Sequence, residues 1–181
     1  RFESVRNDAL KLDELYLNSI GGDKETEKVS SELKTFEHES PDFKIEYPSK
    51  WIDNLNPPPW PGIVFYTSQP PRGFMSIHVH DKSTPFLQPD YSLEKATAYR
   101  AQGLNNWGTD VKIISDQKVS LKDGKTANEG LIEFREFGAA KRNNLAIVVD
   151  KQNKWITVQL GIPSAFYNEE LKSILYSLEF K

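Results

Sequence analysis

Apolar and polar residues follow two different periods along this chain. Residues 1–20 carry apolar side chains at helical intervals and are followed by two glycines, which predicts an amphipathic N-terminal helix. Residues 23–41 are charged and poor in apolar residues, as expected of a linker. The pattern therefore divides the chain into a helix with a charged linker, over residues 1–40, and a globular domain, over residues 41–181.

Within the globular domain, apolar residues alternate with polar ones, as they do in half-buried strands. The segment FKIEYP turns the side chains of Phe43, Ile45 and Tyr47 to one face and ends at Pro48. Further strands are predicted over residues 63–69, 73–81, 111–121, 126–138, 145–150 and 155–162. A proline-rich loop, SKWIDNLNPPPWPG, separates the first strand from the next, because proline has no amide hydrogen for a strand ladder.

Two segments of the domain have apolar residues at helical spacing. The first covers residues 91–107, with Asp90 or Ser92 available as the N-cap, and the second covers residues 168–180, with Asn168 as its cap. Strands joined by short turns pair antiparallel, and an amphipathic helix must cover a sheet face. The sequence therefore predicts an α+β sandwich, with two helices over a single curved, mostly antiparallel sheet.

Composition and charge exclude several classes of protein. The 181 residues include 23 basic and 26 acidic ones, a net charge of -3, and contain no basic block of the kind that binds nucleic acid. The apolar runs are strand-sized, whereas a membrane span needs about 20 apolar residues, so we predict no transmembrane segment. The chain has no cysteine, which excludes disulfides, thiol catalysis and cysteine-rich zinc modules.

The segment SIHVHD contains two of the three histidines, at positions where a strand would direct both side chains to the same face. We single out His78 and His80 as candidate ligands of zinc or copper, although two ligands do not complete a tetrahedral site. The residues that could supply a third ligand are Asp81, His38, Glu129 and Glu133. The pattern favours the alternative, in which both histidines lie on a hydrogen-bonded polar face with at most a weak metal site and no other cofactor.

Signals of catalysis are weak, and signals of binding are stronger. The sequence has no GxSxG elbow and no glycine-rich phosphate loop, so we predict that the protein is not an enzyme. Trp60, which has a proline on each side, and Trp107, at the end of the first predicted helix of the domain, are candidate partner-binding residues, because tryptophan is enriched in binding hot spots. Trp51 follows the first strand and is predicted to pack into the core.

Several segments together resemble the PsbP-like family. They are FKIEYPSKW, SIHVH, SLEKATAYRAQGL, DGKTANEGLIEF and KWITVQLGIPSAFYNEELKSILYSLEF. This family comprises relatives of the extrinsic PsbP subunit of photosystem II and, more distantly, the Mog-type Ran-binding proteins. The resemblance covers about residues 42–181, and it implies an α/β/α sandwich around a mostly antiparallel sheet, in a protein that docks to a partner and has no chemistry of its own.

The resemblance also sets the expectations for function. We predict a non-catalytic binding or assembly module that docks, as a monomer, to a larger protein complex of unknown identity. Because many prokaryotic members are exported or lipid-anchored, we expect an extracytoplasmic or cell-surface location, with an N-terminal lipid anchor in the full-length protein; a cytoplasmic location is the alternative. The alternative functions are a metal-binding accessory protein that uses His78 and His80, and a small-ligand carrier or hydrolase with a pocket between sheet and helix.

Overall fold

The computed structural model describes residues 32–39, 41–54, 63–66, 73–83, 89–136 and 141–181. The strands in this part of the chain are β1 (Leu33–Glu39), β2 (Asp42–Pro48), β3 (Ile52–Asn54), β4 (Ile63–Tyr66), β5 (Phe74–Asp81), β6 (Gly108–Ser120), β7 (Thr126–Glu136), β8 (Lys141–Lys151), β9 (Lys154–Pro163) and β10 (Glu179–Phe180). The helices are α1 (Ala96–Leu104) and α2 (Lys172–Tyr176). Short 3₁₀ turns are formed by Leu93–Lys95, Ser164–Phe166 and Glu169–Leu171.

The strands form two sheets. The small sheet has the order β1-β2-β10, and the large sheet has the order β3-β4-β5-β9-β8-β7-β6. Neighbouring strands run antiparallel in both sheets, which confirms the predicted antiparallel architecture. The expectation of a single curved sheet is wrong, because β1, β2 and β10 pair with each other and, among the described strands, with none of the large sheet.

β1 lies in the segment that the sequence assigns to a charged linker. It pairs with β2 along its whole length, from Leu33 opposite Pro48 to Glu39 opposite Asp42. Most of its side chains are exposed, and Phe36 is its apolar side chain that packs against the core. This strand is held mainly by backbone pairing, and it lacks the alternation of buried apolar residues that marks the other strands. For these seven residues, the structure replaces the predicted linker with a strand. The predicted N-terminal helix lies outside the described residues.

The main core lies between one face of the large sheet, the small sheet and α2. The alternation on the predicted strands is confirmed by the residues buried there: Phe43, Ile45 and Tyr47 of β2, Met75 and Ile77 of β5, and Ile156, Val158 and Leu160 of β9. α2 adds Ile174 and Leu175 to the same cluster. The predicted cap Asn168 begins the 3₁₀ turn Glu169–Leu171 that leads into α2, and its side-chain oxygen accepts from the amide of Leu171 at 3.2 Å.

α1 covers the opposite face of the large sheet. Ala96 of this helix forms a second apolar cluster with Val148 of β8 and Trp155 of β9, and Tyr91 and Leu93 pack against it. The layers are therefore α1, the large sheet, and α2 with the small sheet, which confirms the predicted α/β/α sandwich. Within the described part of the chain, no helix is both long enough and apolar enough to cross a membrane.

Candidate functional site

A cleft of about 720 Å³ lies on the face of the large sheet that α1 covers. Its floor includes His78 and His80 of β5 and Thr157 of β9. The other described lining residues come from the chain before α1, from α1 and from the turn after it: Tyr91, Tyr99, Arg100, Gln102, Gly103, Asn106 and Trp107. The cleft forms because α1 packs on β6 and β7, near one edge of the sheet, and leaves room beside it over β5 and β9.

The two histidines of the floor share a face of β5, as the alternation with Met75 and Ile77 predicts. Their rings are stacked, with 6.0 Å between centroids and an angle of 9° between planes. Nε2 of His78 is 3.0 Å from Oγ of Ser76, which accepts a hydrogen bond from Nε2 of Gln159 at 2.9 Å. Burial lowers the pKa of His80 below its ordinary value of 6.5, so this ring is neutral at pH 7.

The expected third metal ligands lie away from the histidine pair. Asp81 and Glu133 each form an ion pair with a lysine, at 2.8 and 2.9 Å. His38 lies in the small sheet, where its Nδ1 is 3.0 Å from the carbonyl oxygen of Pro41, and Glu129 faces the main core. Among the residues that the structure describes, no three or more histidine, cysteine, aspartate or glutamate side chains form a group that could hold a metal ion. The histidine pair therefore stays a prediction as a metal site.

Arg100 brings a cation to the wall of the cleft. Its Nη atoms donate to the carbonyl oxygens of Gly130 and Asn144, both at 3.4 Å, and to the side-chain oxygen of Asn144. Its Nε is shielded from solvent and has no hydrogen-bond partner in the described structure. Burial lowers the pKa of Arg100 to about 10, so the side chain is charged at pH 7. The carboxylate that attracts it, Asp116, already accepts hydrogen bonds from two other side chains.

Aromatic rings form much of the remaining wall. Tyr91 stacks on Tyr99 with 5.7 Å between ring centroids, and it meets Trp155 edge to face at 5.1 Å. The hydroxyl of Tyr99 donates to Asp90, which holds this ring against the start of the helical segment. The cleft is therefore lined by flat side chains that are fixed by contacts with the sheet and with each other.

The tryptophans predicted from the sequence occupy different environments. Trp107 lines the cleft and is more than half exposed, so its ring is available for contact, but its role in partner binding stays a prediction. Trp51 is buried in the main core, as predicted. Trp60 lies outside the described residues.

The functional groups of the cleft are suited to binding. Its described lining residues include no carboxylate, serine or cysteine. A histidine that acts as a general base in nucleophilic catalysis needs a nucleophile beside it and a group that orients its ring. Nε2 of His78 lies 3.0 Å from Oγ of Ser76, but Ser76 is buried, and the described lining supplies no carboxylate to orient the ring. What the residues do offer is one buried positive charge, several hydrogen-bonding groups and aromatic surface.

A buried polar cluster lies on the face of the large sheet opposite to the cleft. Glu129 of β7 is fully buried; it accepts hydrogen bonds from Gln117 at 2.9 Å and from the hydroxyl of Tyr176, and Lys172 lies 3.7 Å away. These contacts join α2 to the sheet, and they occupy both carboxylate oxygens. The cluster therefore has a structural role, which the sequence pattern did not indicate.

Sequence reasoning also missed Arg100, Tyr91 and Tyr99 as site residues. The signal that was available is the segment YRAQG, in which an arginine follows directly on an aromatic residue of the apolar stripe of α1. An arginine at the border of such a stripe usually extends its charge into solvent. Here it extends over the sheet, where its Nη atoms donate to the carbonyl oxygens of Gly130 and Asn144.

Comparison with known proteins identifies the fold. No protein-family model and no curated protein matches the sequence. The solution structure of cyanobacterial PsbP (CyanoP) from Synechocystis matches with a TM-score of 0.63 at 17% identity, over 90% of this chain and 99% of that one. The Ran-binding protein Mog1p of Saccharomyces cerevisiae matches with a TM-score of 0.59 at 12% identity, over 83% of this chain and 96% of its own. The chain has the PsbP and Mog1p fold.

A third solved structure with this PsbP-like fold comes from another group of organisms. LpqN, a protein of Mycobacterium tuberculosis involved in cell envelope biogenesis, matches with a TM-score of 0.55 at 13% identity, over 83% of this chain and 91% of that one. The three structures confirm the fold that the resemblance implied. At identities of 12 to 17%, they establish the fold alone.

Proposed function

We propose that this protein is a non-catalytic binding module of PsbP-like fold that docks to a larger protein complex. The observation that carries the proposal is the exposure of three large apolar side chains around the end of α1 and along β6. Trp107 is 52% exposed, Ile113 42% and Ile114 48%. We call these three residues the docking residues.

The position of the docking residues on an edge strand suits an interface. β6 is the last strand of the large sheet, so one of its edges has no partner strand among the described residues. Its pairing with β7 is interrupted between Ile113 and Ser115, and Ile113 and Ile114, at this irregularity, are both exposed. Exposed apolar side chains favour contact with a partner, and tryptophan contributes strongly to such contacts.

The names of the structural neighbours support a binding or assembly role. One is a Ran-binding protein, one is a PsbP protein, and one is involved in cell envelope biogenesis. We also propose an extracytoplasmic location, as the family resemblance implies; fractionation of cells that make the full-length protein tests it, and recovery in the cytoplasmic fraction would contradict it.

Site-specific photocrosslinking tests the docking proposal directly. Benzoylphenylalanine is placed at position 107 or 114 in the full chain and, as a control, at Glu170, which is exposed on the opposite side of the large sheet. We expect positions 107 and 114 to crosslink to the same protein in extracts of the source cells, and position 170 not to. Trp107→Ala and Ile114→Thr should each weaken recovery of that protein at least threefold. Crosslinks shared by all three positions, or none at 107 and 114, would contradict the proposal.

A second candidate function is metal binding by His78 and His80. It is favoured by the two parallel rings 6.0 Å apart on one face of β5, which can each offer one nitrogen to zinc or copper. Calorimetric titration of Zn²⁺ or Cu²⁺ into the protein, with His78→Ala as the matched control, tests it. A saturable heat at micromolar metal that His78→Ala abolishes would support metal binding, and an absence of heat would contradict it.

A further inference from the structure

We propose that the cleft beside α1 is a binding site for a small aromatic carboxylate, whose anionic group pairs with Arg100. This inference goes beyond the docking function and does not depend on it, since Ile113 and Ile114 are not among the residues that line the cleft. The cleft volume of about 720 Å³ falls within the range of about 300–1,000 Å³ that is typical of small-molecule pockets.

The charge of the cleft favours an anion. The described lining residues include one arginine and no aspartate or glutamate. Arg100 is held against the sheet by its hydrogen bonds to Gly130 and Asn144, and it lines the cleft as a cation. A single cation matches a carboxylate, which carries one negative charge, better than a phosphate, which carries about 1.5 to 2.

The hydrogen bonds of Arg100 leave capacity for a ligand. A guanidinium group has five N–H donors. In the described structure the Nη atoms donate to Gly130 and Asn144, at distances of 3.4 Å to the backbone oxygens, while Nε has no partner. A buried donor without an acceptor is unfavourable, and a carboxylate is an acceptor-only group that suits the planar guanidinium. A carboxylate in the cleft would therefore pair with the charge of the guanidinium group.

The shape of the lining favours a flat ring attached to that carboxylate. Tyr91 and Tyr99 stack on one side, and the parallel rings of His78 and His80 lie on the floor. Trp107 adds a further aromatic surface that is open to solvent. Aromatic side chains contact planar ligands through stacked or edge-to-face arrangements, which aliphatic ligands of the same size cannot make.

Titration calorimetry with 2-naphthoate and its neutral counterpart 2-naphthamide tests the site in the full chain. We expect saturable binding of naphthoate, with a dissociation constant at least tenfold lower than that of naphthamide. Arg100→Met should reduce this difference to less than twofold. Arg135→Met is the matched control, because Arg135 pairs with Asp110 and does not line the cleft, and it should leave the difference unchanged.

A second pair of variants makes the test independent of the folding of Arg100→Met. Gln102 lines the cleft and is exposed on α1, so its substitution leaves the core intact. Gln102→Glu should weaken naphthoate binding two- to fivefold, Gln102→Lys should strengthen it by a similar factor, and neither should change naphthamide binding. Equal affinity for the two probes, no saturable binding of naphthoate at millimolar concentration, or equal effects of both Gln102 variants would overturn the proposal.

Discussion

The contact between α1 and the large sheet depends on the absence of a side chain at one position. Gly130 of β7 lies beneath Thr97 of α1, and a Cβ atom built on it would lie 2.1 Å from Oγ1 and 2.6 Å from Cγ2 of that threonine. Thr97 is fully buried, and its hydroxyl donates to Asp116 at 2.9 Å and accepts from Asn128 at 3.0 Å. The threonine therefore cannot turn away without losing hydrogen bonds. Gly130→Ala should force α1 away from the sheet.

The expected cost follows from these distances. Ordinary contact begins at 3.4 Å, so the atoms must separate by the difference between 3.4 and 2.1 Å, roughly 1.3 Å. Overpacking of a tight core usually costs about 1–3 kcal/mol, and a strained hydrogen bond to the Thr97 hydroxyl adds about 1 kcal/mol. We expect Gly130→Ala to lower the free energy of unfolding by about 3 kcal/mol. Without the clash, Gly130→Ala should instead raise the free energy of unfolding, because alanine in a strand is favoured over glycine by about 0.5–1 kcal/mol.

Urea unfolding of the two single variants and the double variant measures this effect. Thr97→Ala alone should cost about 1–2 kcal/mol, because it removes the hydrogen bonds to Asp116 and Asn128. In the Gly130→Ala background the same substitution removes the two closest atoms, so it should cost less or stabilise the protein. The coupling energy should be at least about 1 kcal/mol. Additive effects, or a Gly130→Ala cost under about 0.5 kcal/mol, would refute the reasoning.

The buried carboxylate and the small sheet offer three further tests. Glu129→Ala leaves the hydroxyl of Tyr176 and other polar groups without their acceptor, so it should cost about 3 kcal/mol in urea, and a cost under about 1 kcal/mol would contradict this. Burial and the bond to Glu129 raise the pKa of Tyr176, so the folded state keeps a proton that the unfolded state loses above about pH 10. The stability advantage of the wild type over Tyr176→Phe should therefore be constant below about pH 10 and shrink above it; a gap that widens would show the opposite sign. Deletion of residues 1–40 should lower the melting temperature by several degrees relative to deletion of residues 1–31, because only the longer deletion removes β1; equal temperatures would mean that its pairing with β2 contributes nothing.

The elements that the sequence predicts well are those in which one face is buried. β2, β5 and β9 bury every second side chain in the main core, so the alternation fixes both the strand and its orientation. The placement of His78 and His80 on the opposite face from Met75 and Ile77 followed directly from this. Which side chains of a strand face the core depends on the local alternation of apolar and polar residues, and this alternation can be read from a single sequence.

The elements that the sequence does not predict depend on long-range pairing. β1 is held by backbone bonds to β2, and its exposed side chains carry no periodic signal. β6 was predicted as a strand, but the exposure of Ile113 and Ile114 was not; both lie at an irregularity in the pairing with β7, which a single sequence does not reveal. The cleft also depends on long-range contacts, because its position is set by where α1 crosses the sheet.

The width of the large sheet explains why such a cleft exists. Seven strands about 4.8 Å apart span roughly 29 Å, whereas a helix with its side chains is about 10 Å across, so α1 alone cannot cover the face. α1 packs on β6 and β7, and the polar residues of β5 and β9 lie on the part of the face beside it. Trp107, at the end of the helix, belongs to both the cleft and the docking residues. The two proposals are separated by the residues that they do not share: Ile114→Thr should weaken docking and spare naphthoate binding, whereas Gln102→Glu should weaken naphthoate binding and spare docking.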